Sequence, residues 1–272
     1  MISMWRRQCL LFIAIFLLFC GSLYADKRDS QRRQPKDKVE SSLLHPDVLP
    51  RKAGKSKAHT SSSEVYGLDL WTNYGKEGLD VSHYQGRIDW ETVRNTEKSI
   101  SYVYVKATEG ESLVDDTYRQ NLEGAKSVGL KVGSYHFYRP NVAIDKQLQN
   151  IKDNIKKEEQ DLIPLIDIET KGNVSNEKFV SDLKTFLEQI TLYYGKKPLL
   201  YSFYNFYSRY LRNLFPEYKL MIARYHTDAP ILEEGQEYII WQYTARGTVL
   251  GIKRNVDRSK IMPGFSLGDL IY

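Results

Sequence analysis

The sequence of 272 residues predicts an α/β protein whose strands close into an irregular, TIM-like barrel of (β/α)5(β)3 order. Short apolar runs typical of buried strands alternate with segments that repeat apolar residues at helical spacing. Eight strand-like runs can be counted, and the helical segments stop after the fifth βα unit. Alternating βα units indicate a parallel sheet, and eight strands favour closure of that sheet into a barrel.

The predicted strands are rich in the β-branched, aromatic and aliphatic residues that suit a half-buried or buried sheet. After about Ala223, no segment is long and regular enough for a crossover helix, so the last three strands follow one another directly. In chain order, the predicted strands are Gly78–Ser82, Ile100–Lys106, Lys131–Tyr138, Ile163–Ile168, Pro198–Phe203, Lys219–Ala223, Tyr238–Tyr243 and Gly251–Asp257.

Helices are predicted between the first six of these strands. The clearest one extends from Phe179 to Tyr194, with Ser175 as its candidate N-cap and Gly195 just past its end. The remaining helical segments are Trp90–Asn95, Thr117–Val128, Ile144–Ile155 and Asn205–Asn213. A doubly wound open sheet is the alternative architecture. It requires a phosphate-binding glycine loop after the first strand, which residues 82–86 do not provide.

The first 63 residues are predicted to lie outside the barrel. In residues 1–25, Arg6 and Arg7 precede an apolar run, which is typical of a signal peptide or of an N-terminal membrane anchor. Residues 26–63 contain 10 Lys/Arg and 5 Asp/Glu with few aromatics, as in a basic low-complexity linker. The barrel is then residues 64–272. We expect an exported protein, either released to the periplasm, envelope or medium, or attached to the membrane through residues 5–25.

The positive charge of the chain belongs to this N-terminal part, since residues 1–63 contain 12 Lys/Arg and 5 Asp/Glu, a net charge of +7. Residues 64–272 contain 27 basic and 29 acidic residues, which gives a net charge of −2. The predicted barrel therefore lacks the basic excess that nucleic-acid binding requires, and it has no recognisable reader motif. Both cysteines, Cys9 and Cys20, precede residue 26, so the stability of the folded part depends on core packing and not on disulfides.

Polar residues occur at the strand ends where such barrels place their chemistry. The run Leu165-Ile166-Asp167-Ile168-Glu169 ends in two acids, and the alternation of side chains along a strand directs Asp167 and Glu169 to the same face. Two carboxylates that share one space can divide acid and base roles. The other polar residues at strand ends are Asp80, Lys106, Thr108, Glu109, His136, Gln242 and Asp257.

Aromatic residues accompany these polar groups, and carboxylates set among aromatic rings suit a sugar polymer, because ring faces pack on the C–H surfaces of sugars. The alternative is that the rings pack in the core. The aromatic residues in question are Tyr84, Tyr135, Phe137, Tyr138, Tyr201, Tyr204, Tyr225, Trp241 and Tyr243.

At these strand ends the sequence closely resembles the glycoside hydrolase family 25 lysozymes, which are muramidases with a (β/α)5(β)3 barrel. The matching blocks follow in order from Leu79 to about Asp257, although Met221 stands where these enzymes often have an aromatic residue. The blocks are Gly78–Trp90, with Asp80-Val81-Ser82-His83-Tyr84-Gln85-Gly86 at its centre, Val105–Gly110, Gly133–Tyr138, Pro164–Glu169, Leu200–Ser202, Ala223–Tyr225, Trp241–Thr244 and Val256–Asp257.

The resemblance implies cleavage of the β-1,4 bond between N-acetylmuramic acid and N-acetylglucosamine in peptidoglycan, with no metal or organic cofactor. It also implies that Glu169 is the general acid and Asp167 its partner carboxylate, with Asp80 and Asp257 as further site acids. We expect the substrate to be bound by Asp80, Asp257, Tyr135, His136, Tyr201, Tyr225, Trp241 and Gln242.

A general acid must carry a proton near neutral pH. We expect the nearby charges of Asp167, Asp80 and Asp257 to raise the pKa of Glu169, and burial to add to that rise. The 2-acetamido group of muramic acid is the expected internal nucleophile, as in substrate-assisted glycosidases, with Asp167 holding its N–H.

Three alternatives remain open. A non-catalytic peptidoglycan-binding or wall-tethering protein could keep the same barrel. A metal-dependent deacetylase could use His83, His136 and His226, but no two of these are spaced as ligands on one strand or helix. A chitinase-like hydrolase also has carboxylates two residues apart, normally within a longer acidic series than the apolar run before Asp167 allows.

Overall fold

Nine strands form one sheet in the computed structural model, which describes residues 75–272. The predicted signal peptide or membrane anchor (1–25), the linker (26–63) and residues 64–74 lie outside the described residues. The strands are β1 (Glu77–Val81), β2 (Ile100–Glu109), β3 (Leu113–Val114), β4 (Lys131–Phe137), β5 (Leu165–Asp167), β6 (Leu199–Phe203), β7 (Leu220–Ala223), β8 (Ile240–Gly247) and β9 (Val256–Ile261).

The sheet closes into an eight-stranded barrel. β1 pairs with β2 in parallel and with β9 in antiparallel orientation, so the sheet has no free edge apart from the short β3, which pairs with β2. From β2 through β4, β5, β6 and β7 to β8 every pairing is parallel, and β8 and β9 are antiparallel. This closure confirms the predicted barrel and excludes the open doubly wound sheet.

Five helical segments connect the first six barrel strands, as predicted. Ser175 Oγ accepts a hydrogen bond from Lys178 N at 3.2 Å, and Gly195 ends the same helix with φ of 73°, so both predicted caps are confirmed. No helix within residues 75–272 is long and apolar enough to cross a membrane. The helices are α1 (Trp90–Thr96), α2 (Tyr118–Ser127), α3 (Ile144–Asn154), α4 (Asn176–Tyr194) and α5 (Tyr204–Phe206), which continues as a π turn (Tyr207–Leu211).

The last hairpin differs from the prediction. The final strand was expected at Gly251–Asp257, but Gly251 lies in a loop with φ of 95° and β9 begins at Val256. The preceding strand was expected to end at Tyr243 but continues to Gly247. β3 was not predicted, because its two residues are exposed and carry no burial pattern. These differences arise where the polypeptide leaves the core, since burial is what makes a strand visible in a sequence.

Two buried tyrosines fill the barrel interior below the C-terminal ends of the strands. Tyr102 lies opposite Gly78 in the β1–β2 pairing, and Tyr104 lies opposite Gly133 in the β2–β4 pairing. A Cβ atom on Gly78 would lie 2.0 Å from the Tyr102 ring, and one on Gly133 would lie 2.5 Å from the Tyr104 ring. The glycines are therefore required by the close approach of these rings. Met221 is buried in the same interior cluster, which explains why it does not form a wall of an open site.

Gly78→Ala is expected to destabilise the protein by about 1–3 kcal/mol, because the added methyl group overpacks the Tyr102 ring. The direction of this change is informative, because Gly→Ala at an unstrained position usually stabilises a protein by roughly 0.4–1 kcal/mol by lowering the conformational entropy of the unfolded chain. Urea unfolding measures the change. The double variant Gly78→Ala/Tyr102→Leu should be more stable than the sum of the two single effects predicts. Parental stability of Gly78→Ala would contradict the close contact.

Candidate active site

A cleft with a volume of about 210 Å³ opens at the C-terminal ends of the parallel strands. β9 runs in the opposite direction, so the residue near its start, Asp257, reaches the same end of the barrel. The cleft is lined by Asp80, Ser82, Tyr84, Gln85, Lys106, Tyr135, Phe137, Leu165, Asp167, Glu169, Tyr201, Gln242 and Asp257.

All four acids that the sequence singled out line this cleft. Asp167 is the last residue of β5, and Glu169 follows on the same side after the buried Ile168. Asp80 and Asp257 face each other as register partners of the antiparallel β1–β9 pair, which places their Cβ atoms roughly 4.5–5.5 Å apart. The closure of the barrel thus brings together acids that are 177 positions apart in the sequence.

Gln242 organises one side of the cleft through its amide. Its Nε2 donates to Asp80 Oδ2 at 2.8 Å, and its Oε1 accepts hydrogen bonds from the hydroxyl groups of Tyr201 at 2.9 Å and Tyr225 at 3.1 Å. Tyr225 is 48% exposed and packs edge-on against Phe203, so it lies at the edge of the cleft. These contacts determine that the amide nitrogen of Gln242, and not its oxygen, faces Asp80.

Two buried carboxylate oxygens in the cleft accept no hydrogen bond. They are Asp80 Oδ1 and Asp167 Oδ1, and neither has a donor anywhere in residues 75–272. An unpaired buried acceptor destabilises a protein by about 1–3 kcal/mol. Both oxygens belong to residues that line the cleft, and each is itself buried.

Burial keeps the cleft acids protonated to unusually high pH. It is the largest cause of the rise in the pKa of Glu169 to about 7, and the charge of Asp257 adds to it. Burial, followed by the charge of Asp257, raises the pKa of Asp80 to about 8 although the Gln242 hydrogen bond opposes this. The pKa of Asp257 rises to about 6, and that of Asp167 is raised by burial and by Glu169. Burial and the charge of Asp257 both raise the pKa of Glu169, as expected, and burial is the larger of the two causes.

An ionic cluster beside these acids contains a lysine that lowers the pKa of two of them. Lys106 is 8% exposed, lines the cleft and places Nζ 2.6 Å from Glu109 Oε2. Glu109 Oε1 also accepts a hydrogen bond from Arg139 Nε at 2.9 Å. The positive charge of Lys106 lowers the pKa of Asp167 and of Glu169. Lys106 was expected at a strand end but was not among the predicted site residues. A lysine within an otherwise buried strand is the sequence feature that could have identified it as a site residue.

Two residues predicted to bind substrate lie outside the cleft. His136 is 1% exposed and faces the helices, where Nδ1 is 2.8 Å from Thr108 Oγ1 and Nε2 is 3.2 Å from Gln147 Oε1. Burial lowers its pKa to about 4, so the ring is neutral near pH 7. Trp241 is buried in the outer core and donates to Arg224 O at 2.9 Å. Each is next in its strand to a residue that lines the cleft. Because side chains alternate between the two faces of a strand, both residues point away from the barrel interior.

Several lining residues come from the segment after β1. Ser82 N donates to Gln85 Oε1 at 2.9 Å, and Tyr84 N donates to Ser82 Oγ at 3.2 Å, which closes a capping box around a short 3₁₀ helix (His83–Gln85). Tyr84 was expected among the aromatic residues beside the polar strand ends, whereas Ser82 and Gln85 were not predicted to line the site. Their position directly after Asp80, in the matching block Gly78–Trp90, is the sequence feature that could have identified them.

The three histidines considered for a metal site are engaged separately. His83 pairs with Asp115 at 2.7 Å, His136 is buried as described, and His226 contacts Thr227 and Asp228 at the surface. Within residues 75–272, no group of three or more His, Cys, Asp or Glu side chains is arranged to hold a metal ion. The described residues therefore offer no ligand set for the deacetylase alternative.

Comparison with known proteins agrees with this geometry. Residues 79–252 match the model of glycosyl hydrolases family 25. The chain is 32% identical over 195 residues to the uncharacterized protein YegX of Escherichia coli O157:H7, covering 71% of each chain. It is 28% identical over 200 residues to lysozyme M1 of Streptomyces globisporus, covering 68% of this chain and 67% of that one.

The fold is similar to the crystal structure of a bacterial lysozyme from Streptomyces coelicolor, with a TM-score of 0.65 and 26% sequence identity, covering 73% of this chain and 96% of that one. Since the family model spans 174 of the 272 residues, which is more than half, the likeness extends over most of the barrel. The chain therefore belongs to glycosyl hydrolase family 25 and is a glycoside hydrolase.

Proposed function

We propose that the protein is a peptidoglycan hydrolase, an N-acetylmuramidase that cleaves the β-1,4 bond between N-acetylmuramic acid and N-acetylglucosamine. The observation that carries this proposal is the convergence of four carboxylates in one cleft, with the pKa of Glu169 raised to about 7. Relatives and structural neighbours that are named lysozymes support the choice of substrate. No metal or organic cofactor takes part in the proposed reaction.

Glu169 is the proposed general acid. With a pKa of about 7, about half of Glu169 is protonated at neutral pH, and the protonated form transfers its proton to the glycosidic oxygen as the bond to the leaving sugar breaks. After departure of the leaving sugar, the Glu169 carboxylate takes a proton from the attacking water. Positive charge that develops on the sugar ring is stabilised by those cleft carboxylates that are ionised.

Asp167 is the proposed partner of the substrate's own 2-acetamido group. Its carboxylate, which lines the cleft, accepts the acetamido N–H, and this turns the acetamido oxygen toward the anomeric carbon to displace the leaving oxygen. Water then opens the resulting cyclic intermediate. Asp80, Asp257, Tyr135, Tyr201, Tyr225 and Gln242 are the proposed substrate-binding groups, whereas His136 and Trp241 are not included because neither reaches the cleft.

We further propose that the enzyme acts outside the cytoplasm, in the cell envelope or medium. This rests on the substrate and on the signal-like character of residues 1–25, with residues 26–63 as the linker to the barrel of residues 64–272.

The fragments released from purified peptidoglycan test the proposed activity. We expect new reducing ends that carry muramic acid, identified by borohydride reduction and mass spectrometry. Reducing-end glucosamine would contradict the proposed bond specificity. Binding to peptidoglycan without any new reducing end would favour the non-catalytic wall-binding alternative.

Glu169→Gln should lower the lytic rate by about 10²–10⁴-fold, the usual contribution of a positioned proton donor. Turbidity loss of a wall suspension measures the rate. Glu111→Gln is the matched control, because this exposed glutamate lies on the turn between β2 and β3 and does not line the cleft. The acid assignment fails if the Glu169→Gln protein retains the parental rate.

Removing a negative charge and removing a positive charge near Glu169 should shift the pH profile of kcat/KM in opposite directions. Glu169 works protonated, so kcat/KM falls as pH rises through about 7. Asp257→Asn removes a charge that raises the Glu169 pKa and should move this alkaline limb to lower pH. Lys106→Met removes a charge that lowers the same pKa and should move the limb to higher pH. The exposed Lys98, which precedes β2, provides a control in Lys98→Met. Shifts of equal sign in both variants would contradict this electrostatic balance.

The internal nucleophile predicts that no covalent sugar forms on Asp167. The parent enzyme is mixed with substrate, quenched in acid and digested, and the peptide containing Asp167 is weighed by mass spectrometry. We expect its unmodified mass, and we expect much slower cleavage of glycan whose muramic acid lacks the N-acetyl group. A glycosyl adduct on Asp167 would rule out the internal route.

A further inference from the structure

Two loops beside the catalytic cleft have a marked basic excess. They are residues 82–89, which follow β1, and residues 248–255, which connect β8 to β9, and we call them the basic rim. Together they contain Arg87, Lys253 and Arg254 but one acid, Asp89. The Asp89 carboxylate caps α1 by accepting hydrogen bonds from the amide and hydroxyl of Thr92 at 3.1 and 2.8 Å. Residues 75–272 as a whole contain 27 basic and 27 acidic residues, so the excess is local.

The basic rim is held together by contacts between its two loops. Gln85 Nε2 donates to Asn255 O at 2.9 Å, and Asp89 N donates to Gly251 O at 2.9 Å. Arg254 Nη1 donates to Tyr84 O at 3.2 Å, which places an exposed guanidinium beside a residue that lines the cleft. The remaining N–H groups of that guanidinium can pair with a ligand carboxylate.

An exposed aromatic ring is held in the same rim. Tyr84 is 61% exposed, and its ring packs on His83 with 4.2 Å between the ring centres. His83 Nδ1 is 2.7 Å from Asp115 Oδ2, and the Asp115 side chain is fully buried. The buried carboxylate thus orients the imidazole, which in turn supports the Tyr84 ring. The basic rim therefore presents a supported aromatic face next to positive charge.

The cleft and its rim differ in the charge they can accept. Four carboxylates lie in the cleft, so an anionic group on the substrate would be repelled there to the extent that they are ionised. An anionic group would be attracted to the basic rim, whose two loops contain three cationic side chains and the single acid Asp89, a net charge of +2. The buried Asp115 carboxylate contacts the rim only from below, through His83. A glycan that carries carboxylates on side branches could therefore place its sugars in the cleft and its carboxylates on the rim.

We propose that the basic rim binds the carboxylates of acidic peptide substituents on the glycan, with Arg254 as the principal contact and Tyr84 as a packing surface. This inference rests on the proposed peptidoglycan hydrolase activity and specifies its substrate: glycan strands that still bear their peptides, in preference to strands without them. A contact between the basic rim and a peptide carboxylate lowers KM more than it changes kcat, and added salt weakens the contact.

The test compares kcat/KM on two substrates made from one preparation, namely soluble glycan chains with their peptides and the same chains after enzymatic removal of the peptides. We expect the parent to prefer the peptide-bearing chains and to lose this preference as NaCl rises. In Arg254→Gln, kcat/KM on the peptide-bearing chains should fall by about three- to tenfold, mostly through KM, and by clearly less on the stripped chains. Arg94→Gln, at the end of α1 away from the cleft, is the matched control.

The outcomes separate this inference from the proposed function. If the parent cleaves both substrates equally well, or if Arg254→Gln loses the same factor on both, the inference is overturned while muramidase activity stands. If the parent releases no reducing ends from either substrate, both proposals fail. The triple variant Arg87→Gln/Lys253→Gln/Arg254→Gln should reduce the preference further, and cleavage of the stripped chains reports that it is folded. An undiminished preference in the triple variant also overturns the inference.

Discussion

The antiparallel pairing of β9 with β1 is the constraint on which the site depends. It closes the barrel, and it also brings the start of β9 to the end where the parallel strands terminate. Asp257 is thereby set directly opposite Asp80. A parallel final strand would present its own C-terminal end there, and Asp257 would lie at the other end of the barrel. The direction of one strand therefore decides whether the acids of β1, β5 and β9 share a cleft.

The electrostatic state of this cleft is a balance between burial and nearby cations. Burial raises the pKa of all four acids, so they are not all ionised at neutral pH. Lys106 opposes this rise at Asp167 and Glu169, and Glu109 holds Lys106 in place from the other side. If burial acted without Lys106, more of the cleft would be neutral and less able to stabilise a cationic transition state. With stronger positive charge, Glu169 would lose its proton below neutral pH.

The sequence was most informative where burial and alternation act together. The eight barrel strands, the caps of α4 and the common face of Asp167 and Glu169 all follow from repeating apolar patterns. The same alternation, applied to Tyr135-His136-Phe137 and to Trp241-Gln242, would have excluded His136 and Trp241 from the cleft, because their neighbours face inward. The resemblance to a family indicated which strand ends matter, but it did not determine which way each side chain points.

Other features required the tertiary structure. The pairing of Asp80 with Asp257 depends on register across the closure, and nothing local to either residue specifies it. The dominance of burial over like-charge repulsion depends on how deep the cleft lies, which the barrel and its tyrosine-filled interior determine. The contact between Arg254 and the Tyr84 carbonyl joins loops that are 170 positions apart. Such long-range contacts are not encoded in any short pattern.

The arrangement also explains why the site is confined to one end of the closed, packed barrel. The closed sheet satisfies the backbone hydrogen bonds of its strands, and the interior below the cleft is packed by Tyr102 and Tyr104. Against this, Asp80 and Asp167 each retain a buried oxygen without a donor, at about 1–3 kcal/mol of stability apiece. Filling the cleft with apolar side chains would recover that stability and remove the acids. The acids are therefore retained at a cost in stability, and the packed barrel tolerates their unpaired oxygens.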